Sequence, residues 1–529
     1  MRVWIQGKTI MITALCMLLL AACSSGNGSN EASPSNALSG NTAVPVQSDA
    51  GAQQSEGPVK ISILANVLPA DAPENRKAFI DVINEKLNVE LDFLAPPASG
   101  YEQQLQLALI SGDIPDVIFF PSEGDDIFIN AVNDGVVIPL NDYIEKSENL
   151  MKYSYEHSWE ALKTLRDGNI YGVPRTSMTR HDGFIVRKDW MDNLGIEVPA
   201  DAEMTIEQFT DMMRRFTFED PDGNGVKDTY GFGSYVDANK VLQPVLISEL
   251  GHYGWQAYEG AEYEYMLPEY DRNSKVYDNI LAYTRDLYLE GILDPDSPIN
   301  DNKTATERFD RGMFGVYKGF AGHVGSREVA LKKQVPDAEL TYIFVKGPDG
   351  EVKGGVYGTG IWGVWAITSK AKDPEKVIEM FDYLLSDVGW DMVSYGIEGV
   401  HYKLENGEKV YLPEAGVAFG TQRNIVRRHD DPSFFLRPDS YTKEDVEAAL
   451  PLIQKAVDAA ITSLDQGYTP PAARQPNFMD YKLTWDEKTT RIILGDLPLE
   501  EMEKIRDDWY KNSGEQYLKE MNEFIKSMQ

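Results

Sequence analysis

Between residues 59 and 120 the hydrophobic period switches back and forth between two and 3.6, and this alternation restricts the fold more than any other feature of the chain. Residues 59–66 (VKISILAN) alternate and then run apolar, as a first strand does. Phe79, Val82, Ile83 and Leu87 then fall at helical spacing within 74–87. Residues 89–94 read as a second strand, 101–110 as a helix stopped at Gly112, and 116–120 (DVIFF) as a buried third strand. Such a β-α-β-α-β order specifies an α/β fold with a mostly parallel sheet and helices on its faces. Ligands of such sheets sit at the carboxyl ends of the strands, which marks the loop at 121–126 (PSEGDD) from topology alone.

Further along, Thr205 and Gln208 are spaced as a capping box ahead of a helix from about 206 to 216. Thr442 and Asp445 announce a longer helix in which Val446, Leu450, Ile453, Val457 and Ile461 form one stripe, with a kink expected at Pro451. At 529 residues the chain has room for several domains of roughly 100–200 residues, and it shows no internal repeat.

The N-terminus says where the chain works. Arg2 and Lys8 precede an apolar run over 9–22 that is too short to span a hydrocarbon core of ~30 Å as a helix, so 1–22 reads as a secretory signal peptide. Leu20-Ala21-Ala22-Cys23 resembles a bacterial lipobox, in which the cysteine thiol is diacylated and the signal cut just before it. The only other cysteine is Cys16, lost with the signal, so the mature fold has no free thiol and no internal disulfide. Residues 24–57 are almost entirely small or polar and cannot offset their own ordering entropy. Residues 23–57 therefore form a lipidated tether whose flexible part reaches roughly 30–35 Å, and two acyl chains make such an anchor stable. Fifty basic against 84 acidic side chains give a formal charge of −34, and no basic stripe interrupts the sequence, which excludes nucleic acid as a partner.

Four stretches together resemble the family 1 extracellular solute-binding proteins, and above all their long, oligosaccharide-binding branch. They are SGDIPDVIFF at 111–120, RKDWMDNLGIEVPADAEMTIEQFTDMMRRF at 187–216, GTGIWGVWAITSKAKDPEKVIEMFDYLLSDVGWDMVSYGIEGVHY at 358–402 and RIILGDLPLEEMEKIRDDWYKNSGEQYLKEMNEF at 491–524. The resemblance implies a two-lobe, periplasmic-binding-protein-like α/β fold with the ligand in the cleft between discontinuous lobes. The N-terminal lobe would be 58–182 plus 358–402, and the C-terminal lobe 183–357 plus 403–529. It further implies a monomeric, lipid-anchored receptor on a Gram-positive cell surface, delivering an oligosaccharide to the permease subunits of an ABC importer. A peptide-binding receptor is the main competitor, because hinge closure around a ligand serves peptides equally well.

Residues 219–231 (EDPDGNGVKDTYG) carry a calcium-loop pattern. Asp220, Asp222 and Asn224 stand at positions one, three and five, Gly225 at six, the Val226 carbonyl at seven and Asp228 at nine. Calcium takes six to eight oxygens at about 2.3–2.6 Å, and this spacing wraps donors around one point. The usual Glu at twelve is replaced by Gly231, and Thr229 follows Asp228 where relatives with this loop often carry an acid. The metal would brace the C-terminal lobe.

Sugars offer apolar ring faces edged with hydroxyls, so aromatic platforms and a few polar groups suit them. Trp255, Phe320, His323, Tyr357, Trp362 and Trp365 are the candidate ligand-binding residues in loop-like or crossover contexts. Arg175 near the first crossover suits a uronate carboxylate, and Asp125 at a strand end suits sugar hydroxyls. Trp190 and Trp390, on helices, read as core, and His181 as structural. No HExxH, GxSxG, Walker A or Rossmann segment occurs, so the chain reads as a binding protein and not as an enzyme; a secreted polysaccharide-degrading enzyme is the more distant alternative.

Overall fold

The computed structural model describes residues 57–66, 73–96, 100–164, 168–237, 241–356, 358–412, 424–436 and 441–528, and residues 57–529 group as one compact unit. The signal, Cys23, the tether and Tyr357 lie outside the described residues. Strands β1 (Val59–Leu64), β2 (Val89–Leu94), β3 (Val117–Phe120) and β4 (Val173–Thr176) come first, followed by β5 (Phe184–Arg187), β6 (Glu203–Thr205), β7 (Tyr230–Phe232), β8 (Phe314–Lys318) and β9 (Leu340–Lys346). Then come β10 (Gly354–Val356), β11 (Ile361–Ile367), the hairpin β12 (Tyr402–Glu405) and β13 (Glu408–Tyr411), and β14 (Ala460–Thr462).

The first sheet has the order β2-β1-β3-β11-β4. β1 runs parallel to β2 and β3, as the alternation over 59–120 requires, with Ile63 beside Val117. β11 enters antiparallel to both of its neighbours, so the sheet is parallel only on one side. Parallel strands buried on both faces read as near-continuous apolar runs, and all four residues of β3 are buried accordingly. The helices Pro73–Leu87, Tyr101–Ser111 and Pro374–Leu385 supply partners such as Phe79, Leu105 and Phe381 to one core. Ile425, Val426 and Phe434 join that same core from beyond residue 403, although the boundaries written above put them with the other lobe.

The second sheet has the order β6-β9-β5-β8-β7 and carries a core on each face. The helix Ile206–Phe218 lies against it, opened by the expected capping box at Thr205 and Gln208. The helix Lys443–Asp458 has the Thr442–Asp445 box and contains Pro451. Ile461, expected at the end of its stripe, is instead the middle of β14, which pairs in parallel with β10. Among the described residues a further core contains no strand of either five-stranded sheet. Trp255, Tyr270 and Leu281 pack there with Trp485, Trp509 and Leu518 from the helices Pro476–Ile493 and Glu501–Trp509 and the closing helix Glu515–Ser527.

The chain passes between the two sheets at 177–183 and returns through β10 to β11. β14 lies along β10, and the His181 N–H donates to the Ala456 carbonyl at 2.7 Å. Among the described residues no helix is long and apolar enough to cross a membrane.

Candidate ligand-binding site

A cleft of about 460 Å³ opens where the crossing segments leave the sheets. Its walls come from both sides: Ile361 and Trp362 at the start of β11, Ser177 and Arg180 from the crossover after β4, and His323 and Ser326 from the segment after β8. Asn424, Arg427, Phe434, Phe435 and Tyr441 close it from the later chain.

Trp362 reaches this cleft because β11 is irregular there. Ile361 pairs with Thr176 and Val364 with Pro174, so Trp362 and Gly363 together face the single residue Arg175. Such a bulge inserts one extra residue and re-aims the side chain beside it. Gly363 has φ +100°, and a Cβ there would fall 2.1 Å from Phe119 Cζ. Trp362 is consequently 55% exposed, whereas Trp365, three residues on, is buried with its Nε1 donating to the Ile425 carbonyl at 2.8 Å.

Arg175 is buried behind Trp362. Its guanidinium donates to the Trp362 carbonyl at 2.9 Å and to Asn424 Oδ1 at 3.1 Å, and lies 4.7 Å from the Trp362 ring centroid. Arg427 donates to the same Asn424 oxygen at 3.2 Å and lies 4.2 Å from the same ring. On the other wall Arg180 stacks 3.9 Å over Phe320 and pairs with Asp182 at 2.8 Å. Phe320 is itself buried and meets His323 and Phe435 edge-on, so it shapes the wall without facing the space. The His323 side chain is exposed on the cleft wall; desolvation, and then the Arg180, Arg327 and Arg427 charges against the opposing Asp182, push its pKa down to about 4. Burial lowers the Arg175 pKa to about 9.

The structure thus brings together Arg175, Phe320, His323 and Trp362 of the sequence candidates, and adds Arg180, Asn424, Arg427, Phe434, Phe435 and Tyr441, which the sequence reading did not select. It removes two others from any surface. Trp255 is 2% exposed in the helical core, its ring 5.9 Å from Tyr517, and Trp365 is 1% exposed in the first core. Large aromatic area in loop-like sequence is satisfied here by burial. Asp125 does not line the cleft; it precedes the helix Asp126–Asn133, and desolvation followed by Glu102 and Asp126 raises its pKa. From the same loop it is Glu123 that makes a contact across the fold, accepting from the Thr359 hydroxyl. Trp190, Trp390 and His181 are buried, as expected of core residues.

In the loop at 220–231 the Asn224 amide stands among the carboxylates, its Nδ2 donating to Asp222 at 2.8 Å and to Asp228 at 3.4 Å. Asp220 Oδ2 accepts from the Gly225 N–H at 3.1 Å, while its Oδ1 is buried without a partner. Desolvation, and then the neighbouring Asp220 and Asp228, raise the Asp222 pKa against the counter-effect of the Asn224 N–H. The Thr229 hydroxyl donates to the Phe216 carbonyl, and Gly231 at position twelve belongs to β7. Among the described residues no three His, Cys, Asp or Glu side chains converge as placed to hold a metal ion.

Two sheets joined by crossing segments around a cleft define a receptor of the periplasmic-binding-protein class. Residues 70–389 match the model of the bacterial extracellular solute-binding protein family, and the chain belongs to that family. It is 25% identical to the polygalacturonan/rhamnogalacturonan-binding protein YtcQ of Bacillus subtilis, over 88% of this chain and 91% of that protein. It is 22% identical to lipoprotein LipO of the same organism, over 98% of each chain. In structure it resembles the alginate-binding protein AlgQ2, solved without calcium ion, with a TM-score of 0.63 and 18% identity over 89% of this chain and 99% of that one.

Proposed function

We propose that this protein captures an oligosaccharide outside the cell and hands it to the permease subunits of an ABC importer, binding without turnover. The observation that carries the reading is the half-exposed Trp362 indole, aimed by the β11 bulge into a cleft whose walls come from both sheets. A ligand touching both walls has differential affinity for the closed arrangement, which is what capture by hinge closure requires. The lobes are 58–182 with 358–402 and 183–357 with 403–529, apart from the Ile425–Phe434 packing noted above. The polysaccharide-binding name of YtcQ and the alginate-binding name of AlgQ2 support a carbohydrate ligand.

Residues 1–22 act as the signal peptide and Cys23 as the acylated anchor, so that a monomeric receptor stands off a Gram-positive membrane on its tether; the lipoprotein LipO supports this arrangement. Calcium is a structural ion held by Asp220, Asp222, Asn224, the Val226 carbonyl and Asp228. The orphaned Asp220 Oδ1 and the crowded carboxylates fit a cation. A native-state ion adds about 2.7 kcal/mol at a hundred times its dissociation constant.

A thermal-shift screen of the purified protein against neutral oligosaccharides, uronate oligomers and short peptides, with and without EDTA, tests these readings. Stabilisation by a sugar class supports the oligosaccharide receptor, and stabilisation by peptides alone refutes it. A midpoint unmoved by EDTA and by added calcium refutes the ion.

A further inference from the structure

We infer that Glu249 is the positioning residue of the hinge: its buried carboxylate grips the outgoing crossing through His181, and the grip tightens when His181 takes up a proton. The inference rests on the capture-by-closure reading above and adds the group that sets the angle between the two sheets.

Both crossings meet at this carboxylate. Glu249, in the turn at 247–251, has a side chain of 0% exposure, and among the described residues neither of its oxygens accepts a hydrogen bond. His181 Nε2, from the outgoing crossing and equally without a hydrogen-bond partner, stands 3.5 Å from Oε1. Lys318 Nζ, at the end of β8, stands 3.6 Å from the same oxygen. On the returning crossing, Gly355 donates its N–H to the hydroxyl of the adjacent Ser248 at 3.2 Å. Gly354 packs so tightly on the imidazole that a Cβ there would fall 1.8 Å from His181 Nδ1.

The two ionic contacts are slack. Charge-assisted hydrogen bonds run at about 2.7–2.9 Å, so each cation stands roughly 0.6–0.9 Å too far away. A buried carboxylate left unbonded is costly, and a shift of well under 1 Å in the crossing satisfies it. Sub-ångström shifts at such a point become larger displacements of the bodies it joins.

The charges around the ring make the shift proton-dependent. His181 faces Glu249, Lys318 and its neighbour Asp182, and it meets β10 and the helix Lys443–Asp458 through the backbones of Gly354 and Ala456. The charged neighbours of those two, Lys353, Lys455 and Asp458, are engaged by Asp349, Glu203 and Gln454. Desolvation lowers the His181 pKa against the pull of Glu249, with Lys318 and Asp182 acting in opposite senses behind them. The phenols that feel Glu249, Tyr253, Tyr283 and Tyr342, are all raised by burial and stay neutral. In the slack arrangement the ring is therefore neutral at neutral pH, whereas an imidazolium bonded to Glu249 favours the proton. Tightening takes up a proton and is promoted as the pH falls through about 6.5.

Pulsed electron resonance between spin labels tests the inference, with one label on Gln103→Cys in the helix Tyr101–Ser111 and one on Lys303→Cys in the helix Asn302–Asp310. The full chain is used with Cys16→Ser and Cys23→Ser, which leaves no other thiol. Between pH 8 and pH 5 the ratio of two inter-label distances should change at least tenfold, with a midpoint between about pH 5 and 7. His181→Asn should abolish the change. Lys318→Met should move its midpoint up, because the competing ammonium is gone; a merely structural role for these residues moves no midpoint. Should His181→Asn fail to fold, Lys318→Met at its one-third exposed side chain still decides, and a midpoint unmoved or lowered overturns the grip. A distance unchanged by pH, or a change that survives His181→Asn, overturns it too. A distance moved by maltotriose, trigalacturonate or trialanine but not by pH overturns the grip and leaves capture by closure standing. One moved by pH in the way described but by none of those probes supports the grip and counts against capture by closure.

Discussion

Gly363→Ala is the sharpest test of how the cleft is built. A side chain at φ +100° costs about 1–3 kcal/mol in backbone strain. The added Cβ would also stand 2.1 Å from Phe119 Cζ and 3.0 Å from the Phe120 carbonyl oxygen. Phe119 cannot swing away cheaply, because it is buried with its ring 4.9 Å from Trp365. Overpacking of this kind adds about 1–3 kcal/mol, for a total of about 2–6 kcal/mol. Gly112→Ala supplies the control, since its φ is +74° but no atom lies within 4 Å of its Cβ position. It should cost only about 1–2 kcal/mol. Urea denaturation of the two variants reads the difference directly, with a lower midpoint and an unchanged slope expected for Gly363→Ala. Because the bulge aims Trp362, that variant should also bind ligand more weakly, whereas Gly112→Ala should not. If the two variants unfold within about 0.5 kcal/mol of each other, the steric account of the bulge is wrong.

Trp362→Ala should lower ligand affinity about 10- to 100-fold while shifting stability by no more than about 0.5 kcal/mol, as titration and urea denaturation will read. Trp255→Ala should do the opposite, costing about 3–5 kcal/mol of stability with ligand affinity unmoved in whatever remains folded. Desolvation pushes the His323 pKa down to about 4 in the fold, against about 6.5 for a free His, so on acidification the unfolded chain takes up the proton first. Stability should therefore fall from about pH 6.5 toward pH 4, and His323→Asn should flatten part of that slope in denaturation curves taken across the window; an unchanged slope would count against the depressed pKa.

The first sheet was legible because its parallel strands must alternate with helices, and the period change shows in any short window. The caps at Thr205 and Thr442 were legible for the same reason: a capping box is a three-residue spacing. The site was legible only in part. Trp362 and Trp365 look alike in sequence, and what separates them is one extra residue opposite Arg175, a matter of strand register. No run of basic residues marks the cleft, because Arg175 and Arg427 are distant in sequence and meet on Asn424 only after folding. Trp255 sits among glycines, as a loop aromatic does, yet the helices of 476–527 come back to cover it. Ile461 kept the helical period of its neighbours but was claimed by pairing with β10.

The place of β11 in the first sheet has a consequence for how the chain can be made. Among the described residues β4 pairs only with β11, and β11 separates it from β3, so β3 and β4 each keep an open edge until residue 367 has been synthesised. The whole of the second sheet, β5 to β9, is made before that happens. Vectorial synthesis therefore delivers every strand of the second sheet while the first sheet is still unfinished. Closing the first sheet is then a long-range, slow step of the kind that leaves strand edges exposed to other chains. A nascent chain stopped just short of Ile361 should aggregate through those two edges, and one stopped just past Ile367 should aggregate less.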